Sequence, residues 1–168
     1  MNSTANAGMQ LYTVANSGYA FGTGDFTIEF WYYPVSFPSA NMWDFRTEGN
    51  SVCPDIGING SGVLSLFVSN TTVITGSTLS IDQWYHLALS RVSGTSRMFI
   101  DGTQSGSDYT DSNNYVQNGF SLGNSNSVNT GNIGNAGGNG YVSEVRITKG
   151  VGRYSTTFTR PATRFADY

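Results

Sequence analysis

One stretch near the N-terminus constrains the fold more than any other: a run of aromatic and β-branched residues enclosed by turn-forming residues. The run spans residues 26–33, with Gly22 and Gly24 before it and Pro34 after it, a pattern typical of a β-strand between two turns. Alternate residues of a strand point to opposite faces. One face carries Phe26, Ile28, Phe30 and Tyr32, and the other carries Thr27, Glu29, Trp31 and Tyr33. Because neither face is wholly polar, the pattern predicts a central strand, covered on both sides, in a β domain of two sheets.

The composition favours an all-β fold. Aromatic residues make up 14% of the 168 residues, charged residues make up only 11%, and Lys149 is the single lysine. An exposed helix needs a face of charged side chains, and this chain has few of them. Its polar surface must come from Ser, Thr, Asn and Gly, which favour turns and loops. A chain of this length can form one domain with a core of its own.

The charge of the chain argues against nucleic acid as a partner. The formal net charge is -3, so no basic field extends over the whole molecule. Five of the eight basic residues nevertheless lie in the last 23 positions, and these are Arg146, Lys149, Arg153, Arg160 and Arg164. We expect them to pair with neighbouring carboxylates or with a partner subunit rather than with phosphate.

The single cysteine and the N-terminus bear on where the protein is found. Cys53 excludes an intrachain disulfide and a cysteine-based zinc site, and its place beside Pro54 in a polar loop is compatible with an exposed thiol. Residues 1–8 contain neither the basic nor the apolar segment of a secretory signal. No apolar run approaches the roughly 20 residues of a membrane span. We therefore expect a protein that is made in the cytosol, stays off membranes, and leaves by lysis or in a particle.

The rest of the chain is predicted to form short strands between turns, within one domain at residues 11–165. Residues 1–10 are predicted to be a flexible arm and residues 166–168 a short tail. Further strands are predicted at residues 11–14, 41–46, 56–58, 63–68, 73–75, 84–91, 97–100, 119–123 and 141–148. Asp101-Gly102 is a strong signal for a tight hairpin.

Three further expectations concern the C-terminal half. Residues 105–140 are rich in Gly, Ser, Asn and Asp, and only 119–123 suggests a strand there. One helical turn is expected within residues 151–158, around Tyr154. Simple alternation along 141–148 places Val142, Glu144, Arg146 and Thr148 on one face and Tyr141, Ser143, Val145 and Ile147 on the other.

Four motifs, taken together, resemble a known family. They are GTGDFTIEFW (22–31), WYHLALSR (84–91), FIDG (99–102) and YVSEVRITKGVGRY (141–154), the last followed by Phe158 and Pro161. In this order they resemble the laminin G-like, concanavalin A-like jelly-roll domains, in the branch that is frequent in phage structural proteins and bacterial adhesins. The resemblance implies a sandwich of two curved antiparallel sheets with functional loops at the rim or on the concave face. Ser143 departs from the pattern, because relatives commonly carry an aspartate there.

The sequence disfavours catalysis. Enzymes of the family, as the resemblance implies, place two or three carboxylates at alternate positions of one strand, so that they flank a glycosidic bond. Here Glu29 and Glu144 each stand alone on a strand, and Asp25 lies in the turn before Glu29. We expect Glu29 to make a structural bond to an arginine or the backbone. His86, the single histidine, is expected to be a core residue with a satisfied hydrogen bond.

Calcium is the candidate cofactor, although none is required by the residues. Laminin G-like relatives often bind it at a rim, and calcium takes six to eight oxygen ligands. The best oxygen-rich cluster is Asp108 and Asp111, with Asn113 and Asn114 beside them. The alternative is a solvated loop without a metal.

Sugar binding is the second use that the resemblance implies. It requires an exposed aromatic ring to stack on a pyranose and polar groups to reach its hydroxyls. The loops between 105 and 140 supply Tyr109, Asn113, Asn114, Tyr115, Asn124 and Asn135. A Gly- and Asn-rich loop without a ligand remains the alternative.

Two functions from different classes follow. The first is a non-catalytic structural or adhesion protein of a virion, such as a phage capsid decoration or tail-associated protein, with other virion proteins or a second copy of itself as partners. The second is a carbohydrate-binding lectin module that recognises host-surface glycans. A glycoside hydrolase is a distant third, because no strand offers a carboxylate pair.

Overall fold

The computed structural model describes residues 11–12, 16–37, 39–46, 52–122, 139–162 and 165. Within these ranges the chain forms eleven β-strands and one 3₁₀ helix, Ser17–Tyr19. The strands are β1 Leu11–Tyr12, β2 Phe26–Ser36, β3 Ala40–Asp44, β4 Asp55–Ile58, β5 Val63–Val68, β6 Thr71–Thr78, β7 Tyr85–Val92, β8 Thr95–Ile100, β9 Thr103–Thr110, β10 Ser121–Leu122 and β11 Asn139–Lys149. The prediction of an all-β fold is confirmed. The predicted arm at 1–10 and tail at 166–168 lie outside the described residues.

The described strands form two antiparallel sheets. The first has the order β1-β10-β3-β4-β5-β6, and the second has the order β11-β2-β7-β8-β9. Strands β7, β8 and β9 form a meander, and Asp101 and Gly102 join the last two with φ angles of 51° and 81°, as a tight hairpin turn requires. The predicted two-sheet sandwich is therefore confirmed, with β2 in the interior of its sheet.

The core lies between the two sheets and contains the apolar face of β2. Phe26, Ile28 and Phe30 have no exposed surface, and the ring of Phe30 stacks on Trp43 of β3 at a centroid distance of 5.6 Å. The opposing sheet contributes Ile56, Ile58, Leu64, Leu66 and Ile74, all buried. Burial of these side chains is the main favourable term in folding. The alternation predicted for β2 is thus observed.

The outer face of β2 is covered by the C-terminal segment and not by another sheet. We call residues 151–162 and 165 the C-terminal strap. The strap donates backbone N–H groups to the outer face of the sheet, from Arg153 to Thr27 Oγ1 at 2.9 Å and from Tyr154 to Ser90 Oγ at 3.2 Å. The predicted helical turn around Tyr154 is absent from these residues. That prediction was wrong because the backbone donors bind side chains of the sheet instead of a preceding carbonyl.

Strand β9 corrects a second prediction. Residues 103–110 form a full strand paired with β8, where the sequence suggested a loop from residue 105 onward. The strand is polar, with most of its residues exposed, so it carries no apolar alternation that could reveal it. The Asp101-Gly102 turn reverses the chain, so residues 103–110 pair antiparallel with β8.

A bulge in β11 corrects a third prediction. Ser143 pairs with Trp31 and Arg146 pairs with Glu29, so β11 has one residue more than β2 over this interval. Glu144 lies in the bulge with a φ angle of 52°. An extra residue reverses the alternation beyond it. Arg146 therefore shares the outer face with Ser143, and not with Val142 as strict alternation predicted.

Candidate functional site

Glu29 is the centre of a polar cluster on the outer face of the second sheet. Its carboxylate has no exposed surface and accepts three hydrogen bonds, from His86 Nε2 at 3.1 Å, Arg146 Nε at 2.8 Å and the Tyr154 hydroxyl at 2.8 Å. Arg153 Nε lies 3.8 Å from the same group. The carboxylate therefore joins β2, β7, β11 and the strap, and the predicted structural bond from Glu29 to an arginine is confirmed.

The electrostatics of this cluster keep Glu29 ionised. Burial raises the pKa of Glu29, but the hydrogen bonds from His86, Arg146 and Tyr154 and the charge of Arg146 outweigh it, so the pKa is lowered overall. Burial and the charge of Glu29 raise the pKa of Tyr154 to about 12. Tyr154 thus remains a donor at neutral pH.

His86 is buried and bonded to Glu29, as expected, but it lies on the outer face of the second sheet and not in the core between the sheets, with its ring enclosed by aromatic side chains. It is fully buried, and the rings of Tyr154, Phe158 and Phe165 meet it edge-on at centroid distances of 5.8 to 6.5 Å. Its Nδ1 has no hydrogen-bond partner among the described residues. The Glu29 and His86 pair is therefore closed to a substrate.

A pair of carboxylates forms on the first sheet, which the sequence did not reveal. Asp44 and Asp55 are cross-strand partners on β3 and β4, and they are 0% and 5% exposed. Arg46 binds Asp44 through Nε at 3.0 Å and Nη2 at 2.6 Å, and its Nη2 lies 3.8 Å from Asp55. The sequence of either strand alone does not predict this pair, because the pairing depends on the register between the two strands.

Burial acts on the protonation of Asp55. Burial and the charge of Asp44 raise the pKa of Asp55 well above its ordinary value, against the opposing charge of Arg46. Asp55 Oδ1 has no hydrogen-bond partner among the described residues. Nearby Cys53 is 1% exposed, and burial raises its pKa as well, so an exposed, reactive thiol is excluded. Because both acids are buried, no glycosidic bond can reach the space between them.

The two predicted calcium ligands, Asp108 and Asp111, do not form a joint site. Asp108 pairs with Arg97 on the outer face of the sheet, with Nη2 at 2.6 Å. Asp111 is 1% exposed and accepts hydrogen bonds from the Ser96 hydroxyl at 2.7 Å and the Tyr115 hydroxyl at 2.9 Å. Ser96 and Arg97 are successive residues of β8 and point to opposite faces, so the two carboxylates are separated and occupied.

Arg91 is the buried ionic partner of Asp111, with its Nη1 3.5 Å from Asp111 Oδ1. The guanidinium has no exposed surface and lies between the rings of Phe26 and Tyr115, at 4.9 and 4.7 Å from their centroids. It donates to the carbonyl oxygens of Gly22, Gly24 and Asn113. The sequence marked Arg91 only as the end of a motif, and its structural role emerges from packing.

The predicted sugar-binding residues that the structure describes differ in their exposure. Tyr115 is fully buried, so its ring cannot stack on a sugar and that prediction was wrong. Tyr109 is half-buried and accepts a hydrogen bond from Asn113 Nδ2 at 3.1 Å, and Asn114 is exposed. Asn124 and Asn135 lie outside the described residues.

A different group of aromatic side chains lies on the outer face of the second sheet, with two members exposed and the middle one half-buried. We call Tyr33, Trp84 and Tyr141 the aromatic row. Tyr33 lies in the middle, with ring centroids 5.5 Å from Trp84 and 5.9 Å from Tyr141. Trp84 is 42% exposed and Tyr141 is 61% exposed. The row crosses β11, β2 and the residue before β7.

Sequence reasoning assigned all three residues to strands but did not connect them. Tyr141 pairs with Tyr33 across β11 and β2, and Tyr32 pairs with Tyr85 across β2 and β7, so register alone brings the rings together. The signal available was that Tyr33 lies on the outer face of β2. Its neighbours across the sheet could not be read from the sequence.

The described residues hold neither a metal cluster nor a membrane helix. No group of three His, Cys, Asp or Glu side chains in the described ranges could bind a metal ion. No helix among these residues is long and apolar enough to cross a membrane.

Comparison with known structures shows where this fold recurs. Domains LG4–5 of the mouse laminin α1 chain are similar with a TM-score of 0.60 and 14% identity, covering 95% of this chain and 46% of that one. A heptameric SAP-like pentraxin from Limulus polyphemus is similar with a TM-score of 0.59 and 14% identity, covering 82% and 68%. Domain 4 of AbnA, a GH43 extracellular arabinanase from Geobacillus stearothermophilus solved in complex with arabinotriose, is similar with a TM-score of 0.54 and 19% identity, covering 86% and 77%.

These likenesses show the fold alone, and the family follows from a separate comparison. No protein among curated sequences matches the chain. The family model described as the concanavalin A-like lectin/glucanases superfamily matches residues 5–151, which is most of the chain and includes both sheets. The protein belongs to the concanavalin A-like lectin/glucanase superfamily.

Proposed function

We propose that this domain is a non-catalytic, lectin-like module that binds carbohydrate through the aromatic row. The observation that carries the proposal is the exposure of Trp84 and Tyr141 on either side of Tyr33. Tyr and Trp combine a large apolar face with a polar group, and such rings stack on the apolar face of a sugar. The similar domain of the arabinanase AbnA, solved with arabinotriose, supports an oligosaccharide as ligand.

Two features support binding without catalysis. Hydrolysis of a glycosidic bond uses two carboxyl groups on either side of it. Glu29 is enclosed by the strap, and Asp44 and Asp55 are buried together. The aromatic row has no carboxylate among its three members, so these three side chains offer rings for stacking and no acid for catalysis.

Glycan-array binding of the purified protein tests the proposal. We expect binding to at least one glycan, with loss of the signal in Trp84→Ala and Tyr141→Ala. Val116→Ala is the matched control, because Val116 is 55% exposed in a loop. Its binding should equal that of the wild type, and thermal unfolding should show that every variant is folded. Absence of binding to every glycan by the folded protein would overturn the proposal.

The same array compares the aromatic row with the site predicted from sequence. Tyr109→Ala and Asn114→Ala should bind like the wild type. If they lose binding while Trp84→Ala retains it, the ligand lies at the loop after β9.

An array repeated with a chelator tests the calcium prediction, and we expect an unchanged signal because the row contains no carboxylate.

For the location of the protein we propose a virus particle, where the module would face host glycans. The resemblance of its motifs to those of phage structural proteins supports this, and the heptameric assembly of a pentraxin with the same fold supports self-association. Electron microscopy and mass spectrometry of particles from the source organism test the location. Absence of the protein from every particle would contradict it.

A further inference from the structure

We infer that the aromatic row binds an internal stretch of a single extended glycan chain, about three sugar units long, lying across the strands. This inference rests on the proposed function and names its ligand class. It excludes two other classes: a terminal monosaccharide, and the flat face of a crystalline polysaccharide.

The spacing of the rings indicates a chain. The centroid distances of 5.9 Å from Tyr141 to Tyr33 and 5.5 Å from Tyr33 to Trp84 follow from the spacing of neighbouring strands, about 4.8 Å. These steps are close to the length of one pyranose unit in an extended chain. Successive rings can therefore meet successive sugars, which a monosaccharide cannot exploit.

The angles between the rings exclude a flat ligand. The planes of Tyr33 and Tyr141 meet at 57°, and those of Tyr33 and Trp84 meet at 60°. A crystalline surface presents its sugar faces in one plane and would require coplanar rings. A single chain in solution can rotate about each glycosidic bond and turn successive faces toward differently inclined rings.

One residue of the strap, Arg160, lies near Trp31, which is the next outer-face residue of β2 from Tyr33. Trp31 and His86 are cross-strand partners next to the row, and the Arg160 guanidinium lies 5.4 Å from the centroid of the Trp31 ring. Arg160 donates through Nη1 to Asp101 at 2.9 Å, and the two side chains are 48% and 34% exposed. Both groups are partly exposed and can therefore hydrogen-bond to sugar hydroxyls.

Apolar side chains lie on the other side of the row, at the C-terminal end of β2. Val35 is 40% exposed and Ile81 is 47% exposed, and the backbone N–H of Asp82 binds the carbonyl oxygen of Pro34 at 2.8 Å. The row thus lies between a polar border and apolar neighbours. A pyranose chain, with hydroxyls along its edges and apolar faces, matches this arrangement.

Calorimetry with oligosaccharides of one to six units tests the inference. The probes are cello-, laminari-, manno- and arabino-oligosaccharides, together with the series of any glycan found on the array. We expect affinity to rise with each unit up to three and then to level off. Trp84→Ala and Tyr141→Ala should each weaken binding of the trisaccharide about tenfold, which corresponds to about 1.4 kcal/mol.

A second measurement separates the chain from the crystalline surface. Sedimentation with insoluble crystalline cellulose and chitin should leave the wild-type protein in the supernatant.

Arg160→Lys should retain part of the affinity for the trisaccharide and Arg160→Gln should retain less, with Arg97→Gln as a control remote from the row. Folding of each variant is checked by thermal unfolding.

The outcomes distinguish the inference from the proposed function. Equal affinity for mono- and hexasaccharide, lost in Trp84→Ala, would overturn the inference and leave carbohydrate binding in place. Sedimentation of the wild-type protein with a crystalline polysaccharide, lost in Trp84→Ala, would also overturn the inference and leave carbohydrate binding in place. Failure of the folded protein to bind any probe would overturn both.

Discussion

The carboxylate of Glu29 and the guanidinium of Arg146 lie 2.8 Å apart on neighbouring strands, and the carboxylate has no exposed surface. The same carboxylate accepts a hydrogen bond from Tyr154 of the strap. Attachment of the strap to the sheet is thus coupled to a buried charge. A buried ion pair is strongly destabilising when one partner is removed, because the other charge is left without compensation.

Replacing Glu29 by glutamine should reduce the stability of the domain. The amide keeps the shape of the side chain but leaves Arg146 without its negative partner, so we expect a loss of about 3 kcal/mol in the free energy of unfolding. Urea unfolding measures it. The control is Asp108→Asn, because Asp108 pairs with Arg97 while 49% exposed and should lose less than about 1 kcal/mol. Equal losses in the two variants would contradict the central role of Glu29.

The stability of the domain should fall in acid through the same group. The pKa of Glu29 is lowered in the folded state from its ordinary value of 4.5. Its contribution is therefore complete above the unfolded-state pKa and is lost as pH falls through the folded-state pKa. Unfolding free energies measured below about pH 5 should decline more steeply for the wild type than for Glu29→Gln. Parallel profiles would assign the acid sensitivity to other groups.

Asp55 should have the opposite effect on the pH profile. Its pKa is raised well above the ordinary value of 3.8, so the folded state holds a proton that the unfolded state releases. Stability then falls as pH rises from the unfolded-state pKa toward the folded-state pKa. Asp55→Asn should remove this decline and raise the melting temperature at pH 7, relative to the wild type.

The control for Asp55 is its cross-strand neighbour. Asp44 binds Arg46 through both carboxylate oxygens, so Asp44→Asn should lower the melting temperature at pH 7. Destabilisation by Asp55→Asn at pH 7 as large as that by Asp44→Asn would show that Asp55 is ionised in the folded state.

Gly102 should be required for docking of the strap. Its φ angle is 81°, and a Cβ at this position would lie 2.0 Å from the carbonyl oxygen of Phe158. Gly150 is the matched control, because its φ angle is 83° but a Cβ there would meet nothing within 4 Å. Both alanine variants carry the strain of a positive φ, and only Gly102→Ala displaces the strap. We expect a lower melting temperature and faster proteolysis of the C-terminal segment in Gly102→Ala, and similar values in the two variants would refute the close contact.

Residues close in sequence determined much of this fold. The alternation along β2, with Phe30 inward and Glu29 outward, was visible because a strand places successive side chains on opposite faces whatever its neighbours are. The Asp101-Gly102 hairpin was equally visible, because its φ angles depend on the two residues themselves. The structural bond from Glu29 to an arginine was expected from burial of a strand carboxylate alone.

The candidate site was beyond prediction for a physical reason. Tyr33, Trp84 and Tyr141 meet only through strand order and register, and the Glu144 bulge decides which face Arg146 shares. The sequence predicted that Tyr115 is an exposed aromatic residue in a loop, but its ring packs against Arg91 and is buried. Local conformation and alternation belong to the sequence, since they depend on neighbours along the chain. Which side chains become neighbours across the sheet, and which of them remain exposed, is decided only when the strands pair and the strap covers their outer face.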